Sequence, residues 1–201
     1  KRVLARYRSL LDLSRDGTVR GSSRIELTGR PSGRMRELLV AAGTSDAAAD
    51  ELLLENAAFA SGRLRSSDPV DLSIPLVCEG SFEEDIRITM GPTVFFSIPF
   101  GLNVANPTRL RGLFTGSMRQ CPLVAGALCL ESSRLIRVPE GYRFVSIPEG
   151  REIRTAVASY GAEYRLTAPN QLRVVTRVRL EKDVFSPEEY RELETVLAAI
   201  A

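Results

Sequence analysis

The sequence predicts a mainly β (α+β) protein: an antiparallel β-sandwich with an inserted helical hairpin near the N-terminus and a C-terminal amphipathic helix. Three features point there. Apolar and polar residues alternate with period two over many short runs, separated by Gly, Pro, Asn and Asp. Two neighbouring stretches between residues 33 and 56 switch to the helical period. The final segment opens on a capping box and carries one apolar face.

Val3 to Thr28 reads as a β-hairpin. Tyr7, Ser9, Leu11 and Leu13 alternate with Arg6, Arg8, Leu10 and Asp12, and Asp16-Gly17 is the turn dipeptide. Asp16 is a turn former by this reading, not an acid or a metal ligand. Gly29-Arg30-Pro31-Ser32-Gly33 lacks the Lys-Ser/Thr ending of a nucleotide loop, so it starts a helix. That helix covers Gly33 to Ala42, with Met35, Leu38, Leu39 and Ala42 on one face and Gly43 at its end. A second helix, capped by Ser45 or Asp46, runs to about Asn56, with Leu52, Leu53 and Leu54 buried.

Strands are then expected from Ala58 to Leu64, over Leu72, Ile74, Leu76 and Cys78, and over Ile86, Ile88 and Met90. Pro75 marks the second of these as an edge or bulged strand. Thr93 to Pro99 is apolar on both faces, the pattern of a strand covered twice. Asn103 to Ser117 is the least regular part.

The stretch from Arg134 to Gly150 sets the register of the second half. Its two Pro-Glu-Gly triplets, at 139–141 and 148–150, each punctuate a strand. Strands are expected at Ala127–Val138, Tyr142–Ile147, Arg151–Val157, Ala162–Thr167 and Gln171–Leu180, with Pro169-Asn170 as the last turn. In the final strand Leu172, Val174, Thr176, Val178 and Leu180 face one way, and Arg173, Val175, Arg177 and Arg179 the other. That arginine row is a solvated face that could also meet an acidic partner. In the closing helix Ser186 is the N-cap, Pro187 the first residue and Glu189 the return half of the capping box. Tyr190, Leu193, Val196, Leu197 and Ile200 line its apolar face. Residues 1–115 thus hold the hairpin, the helical hairpin and strands, and 116–201 the antiparallel sheet and closing helix, packed as one composite domain.

Composition excludes more than it assigns. The chain has 201 residues and no histidine, so a Ser-His-Asp or Cys-His centre cannot be built from it alone. The net charge is +2, without a dense basic run interleaved with aromatics, so no nucleic-acid partner is expected. No run of apolar residues is long enough for a membrane span. Cys78, Cys121 and Cys129 include no C-x-x-C pair. All three are expected to be small buried apolar groups, although Cys121 and Cys129 could pair in an oxidising compartment. Carboxylate-only catalysis would need Glu83 with Glu84 or Asp85, or Glu188 with Glu189; neighbouring acids of this kind form solvated faces or helix starts. No residue is assigned a catalytic, cofactor-binding or metal-ligating role, and no cofactor is expected. The chain starts without methionine, as a piece of something longer would.

These features together resemble the β-rich segment that follows the transglutaminase-like (papain-like) core in bacterial multidomain proteins, where domains of unknown function flank the enzyme. The matching residues are the hairpin around Asp16-Gly17, and Gly29 leading to Arg36 and Leu39. They continue with Arg119 and Pro122-Leu123, the Leu135-to-Pro148 stretch with its Pro-x-Gly-Tyr turn, and the closing strand before Tyr190. In that family the catalytic cysteine, histidine and aspartate lie in the core, and nothing here can receive those roles. The resemblance therefore implies a non-catalytic accessory module, with the transglutaminase-like core as partner and a periplasmic or cell-envelope setting. The alternative is a free-standing β-sandwich module that binds a cell-envelope, peptide or carbohydrate partner. The absence of tryptophan argues against a sugar-stacking platform.

Overall fold

The structure is a computed structural model and describes residues 4–43, 45–54, 60–86, 91–98, 102, 120–125 and 128–200. The chain is mainly β, with the helical hairpin and the closing helix where the sequence places them. In order the strands are β1 (Leu4–Leu13), β2 (Thr18–Leu27), β3 (Ala60–Ser66), β4 (Leu76–Asp85), β5 (Leu123–Val124), β6 (Leu128–Arg137), β7 (Arg151–Arg154), β8 (Ala158–Ala168), β9 (Gln171–Leu180) and β10 (Val184–Phe185). The helices are α1 (Arg30–Ala42), α2 (Ser45–Leu54) and α3 (Pro187–Ala198).

The two sheets are very unequal. Eight strands form one sheet in the order β3-β4-β2-β1-β6-β9-β8-β7, and β10 with β5 forms a two-stranded ribbon. One correction follows: the large sheet is mixed, because β1 and β6 run parallel, from Leu4 opposite Cys129 to Asp12 opposite Arg137. The other pairs are antiparallel. A parallel pair cannot be closed by a tight turn and needs a long crossover. Local alternation says nothing about strands more than a hundred residues apart, so this pairing is invisible in it.

Period-two alternation divides the sheet into two faces. On one face, a single row runs Cys78, Ile25, Tyr7, Ser132, Thr176, Ala162 across six strands, and every member is buried. Gly21 lies directly opposite Phe82, and a Cβ there would come within 2.3 Å of the ring. The aromatic ring occupies the space that a side chain would need. The closing helix docks Tyr190, Leu193, Val196 and Leu197, all buried. Its start is the expected capping box: the Ser186 hydroxyl accepts from the Glu189 N–H, and the Glu189 carboxylate accepts from the Ser186 N–H at 2.9 Å. At the hairpin turn the Thr18 N–H donates to Asp16 at 3.0 Å, and this bond holds the Asp16 carboxyl below its ordinary pKa.

Several strand expectations are corrected. Leu72 and Ile74 are exposed and belong to a loop before β4, which starts only at Leu76. The loop is held by Arg36, 6% exposed, whose guanidinium donates to the carbonyls of Pro69 (2.9 Å), Asp71 (2.7 Å) and Ile74 (2.8 Å), with a longer contact to Asp68. These carbonyls satisfy a cation that could not be buried unpartnered. Residues 93–98 and 142–147 carry no regular secondary structure and join neither sheet, since their flanking prolines and glycines keep them off the ladder. Phe95, read as doubly covered, is 87% exposed. Of the two Pro-Glu-Gly triplets, only the first has its glycine in the left-handed region, with φ 89° at Gly141. β7 stops at Arg154 and β8 starts at Ala158, earlier than alternation suggested. The expected strand over Ile86, Ile88 and Met90 falls mostly, and Asn103 to Ser117 entirely, outside the described residues.

Two outcomes are expected. Leu193→Asp places a carboxylate at a fully buried helix position and should destabilise the protein by at least about 4 kcal/mol in denaturant melts; an unchanged midpoint would refute the docking of α3. Arg36→Met should cost about 2–3 kcal/mol and speed proteolytic cutting within residues 68–74, read by mass spectrometry.

Candidate functional site

The second face of the large sheet is laced by charge. Arg20 meets Glu83 at 2.9 Å, Arg24 meets Glu79, and Arg137 meets Asp12 at 3.6 Å. One chain of alternating charge crosses four strands: Glu26, Arg6, Glu131, Arg177, with gaps of 3.8, 3.7 and 3.4 Å. All these pairs sit directly opposite one another in register. Each exposed pair contributes little to stability, yet a one-residue slip would break the whole set.

A shallow groove of about 910 Å³ crosses the middle of this face. Leu10 and Leu135, half-buried and opposite each other on β1 and β6, lie along it with Ser22 and Ser133. Arg8 and Arg173 flank it, and among the described residues neither has an ion-pair partner. Each instead stands opposite another arginine: Arg8 faces Arg24, and Arg173 faces Arg165. Like charges opposite each other on neighbouring strands repel. The groove therefore carries uncompensated positive charge beside an apolar strip.

A second groove, about 950 Å³, lies at one end of the sheet. Buried Leu13 and Leu172, near the ends of β1 and β9, and Val138, just past β6, line it together with segments 91–98 and 141–148. The Phe144 N–H donates to the Pro169 carbonyl at 2.9 Å and the Tyr142 N–H to Pro139 at 3.0 Å.

The carboxylate candidates are dispersed. Glu83 points to the charged face and is bound by Arg20, whereas Glu84 points to the covered face, where burial raises its pKa. Glu188 and Glu189 belong to the helix start: the Ser186 hydroxyl holds the pKa of Glu188 down, and Lys182 that of Glu189. Neither set makes a cleft with two facing acids. Among the described residues no three metal-ligating side chains converge. The cysteines correct the uniform expectation. Cys78 is buried, with its thiol pushed up to about 12 by desolvation, but Cys121 is exposed and Cys129 half-buried, and all three are free.

Of the arginine row on β9, Arg177 is committed to Glu131 and Arg179 to Glu181 at 2.7 Å, leaving Arg173. Sequence reasoning missed Arg8, Leu10 and Leu135 as neighbours, since only the β1–β6 pairing brings them together. A row of alternating arginines on β1, at Arg6 and Arg8, was the available signal.

Residues 94–201, more than half of the chain, match the family model of a domain of unknown function with a solved structure (DUF3858). The chain belongs to this family. Most of both walls of the end groove, and strands β6 to β9, lie within the matched region. No curated protein matches the chain. A crystal structure of a candidate protease from Parabacteroides distasonis is similar over 52% of this chain and 20% of that one, at 17% identity and a TM-score of 0.39. The match thus spans about a fifth of that protein's length.

Glu84 gives a pH prediction. Its folded pKa lies above the unfolded value, so the unfolded state loses the proton first and stability falls as pH rises past the unfolded pKa. Glu84→Gln should therefore raise the melting temperature at pH 7, and the gain should vanish below about pH 4, where the carboxyl is protonated in both states. A gain that is constant across this range would refute the burial penalty.

Proposed function

We propose that this chain is a non-catalytic accessory module that docks on a transglutaminase-like cysteine enzyme core and shapes or covers its site through protein contacts. One observation carries the reading: the open sheet face presents Arg8 and Arg173, uncompensated and each in register with another arginine, beside the Leu10–Leu135 strip. A face meant only for water would balance its charges and need no apolar strip. A partner surface bearing carboxylates would relieve the repulsion and cover the leucines. The absence of histidine supports an accessory rather than an acyl-transfer role. The sequence resemblance supplies the identity of the core and, with it, a periplasmic or cell-envelope setting. No helix among the described residues is long and apolar enough to cross a membrane.

The test is co-purification of this chain with a transglutaminase-like core, followed by titration. Arg8→Glu/Arg173→Glu should weaken the association at least about tenfold while leaving the melting temperature unchanged or slightly raised, because like-charge contacts are removed. If the two proteins share no interface and the activity of the core is indifferent to this chain, the reading fails.

A further inference from the structure

We infer that the groove at the end of the sheet binds an extended peptide by strand addition, and that this peptide carries apolar side chains at alternate positions and at least one carboxylate. The site is separate from the arginine-flanked groove and does not depend on the accessory role.

The first support is backbone chemistry. Residues 94–98 and 146–148 have no regular secondary structure and make no backbone hydrogen bond among the described residues, and side chains 94–98 alternate between half-buried and exposed as those of an extended segment do. Unpaired N–H and C=O groups along an extended segment form a template for another strand. The free run 94–98 would span roughly 17 Å when fully extended, enough for a few ladder bonds.

The second is the apolar surface. Val94, Phe96 and Ile98 alternate with exposed residues, and so do Tyr142 and Phe144 on the other wall. Phe96, Ile98, Tyr142, Phe144 and Ile147 pack on the core. Phe95 and Val145 line the groove yet remain 87% and 75% exposed. Alternate pockets between such side chains are what an added strand fills.

The third is charge. The lining residues that carry a full charge are Arg15 and Arg143. Arg15 is fixed by its bond to the Glu140 carbonyl at 3.0 Å, and Arg143 has no ion-pair partner among the described residues. Two cations beside an otherwise apolar groove select a carboxylate on the incoming peptide over an uncharged apolar ligand.

The probe is an N-acetylated octapeptide alternating valine with threonine and one central glutamate, titrated calorimetrically into the full chain. Saturable one-to-one binding is expected. N-methylation at alternate peptide residues should weaken it at least about tenfold, since each methyl removes a ladder donor. Val145→Pro, which removes a wall N–H, should do the same. Arg143→Glu should lower affinity for the glutamate peptide and raise it for the lysine analogue, with an unchanged melting temperature, so the idea remains testable even if the proline variant misfolds. Arg8→Glu/Arg173→Glu should leave peptide binding intact, which separates this site from the other groove. Equal binding of the N-methylated peptide would overturn the inference. So would no binding at millimolar peptide, or binding of oleate alone.

Discussion

The pairing of β1 with β6 holds the rest of the structure together. Among the described residues it is the one parallel contact in the large sheet, and it joins the strands of the first half to those of the second. Both faces encode its register. On the covered face it aligns Tyr7 with Ser132 and Leu11 with Ile136. On the open face it aligns Arg6 with Glu131 and Asp12 with Arg137. A shift of one residue would bury Arg6 and Arg8 and expose Tyr7 and Leu11. The ion pairs need not be strong to prevent that; they need only be lost together.

The covered face is not uniformly apolar. Arg134 is 6% exposed, and burial lowers its pKa, while the neighbouring tyrosines 160 and 164 oppose that shift. Its row continues through Ser9 and Ser23, whose hydroxyls bond at 2.8 Å. A buried cation is costly unless it is well supplied with acceptors. Arg36 shows the solution at the other buried guanidinium, where carbonyls of a single loop surround the cation. There arginine organises chain that carries no regular structure of its own, and its planar fork of donors suits it to that role better than lysine.

Much of the fold was legible because it is local. The hairpin around Asp16-Gly17, the Gly43 stop, β9 and the Ser186–Glu189 box each follow from turn chemistry or periodicity within a short window. What failed was inference from apolarity to pairing. Phe95 and Val145 lie in runs that look like strands, but neither run joins a sheet. Apolar alternation is a property of the residues, whereas a ladder partner is a property of the whole chain. Leu72 and Ile74 failed for a different reason: a buried arginine drew their loop away from the sheet. Of the arginine-flanked groove, the β9 row was visible in the sequence. The neighbours that neutralise Arg177 but leave Arg173 were not, because they belong to β6 and β8.

The same logic separates the two exposed surfaces. Sheet residues that meet water are normally neutralised across strands, and most of this open face obeys that rule. Arg8 and Arg173 depart from it where an apolar strip also surfaces, so two independent costs coincide at one place. At the end of the sheet a different pair of costs coincides: unpaired backbone, and the exposed side chains of Phe95 and Val145. Selection for stability alone would remove each by a single substitution, such as serine for Phe95 or glutamate for Arg173. On a scaffold whose remaining charges and caps are well matched, these are the two places where the proposed partners would offset a cost.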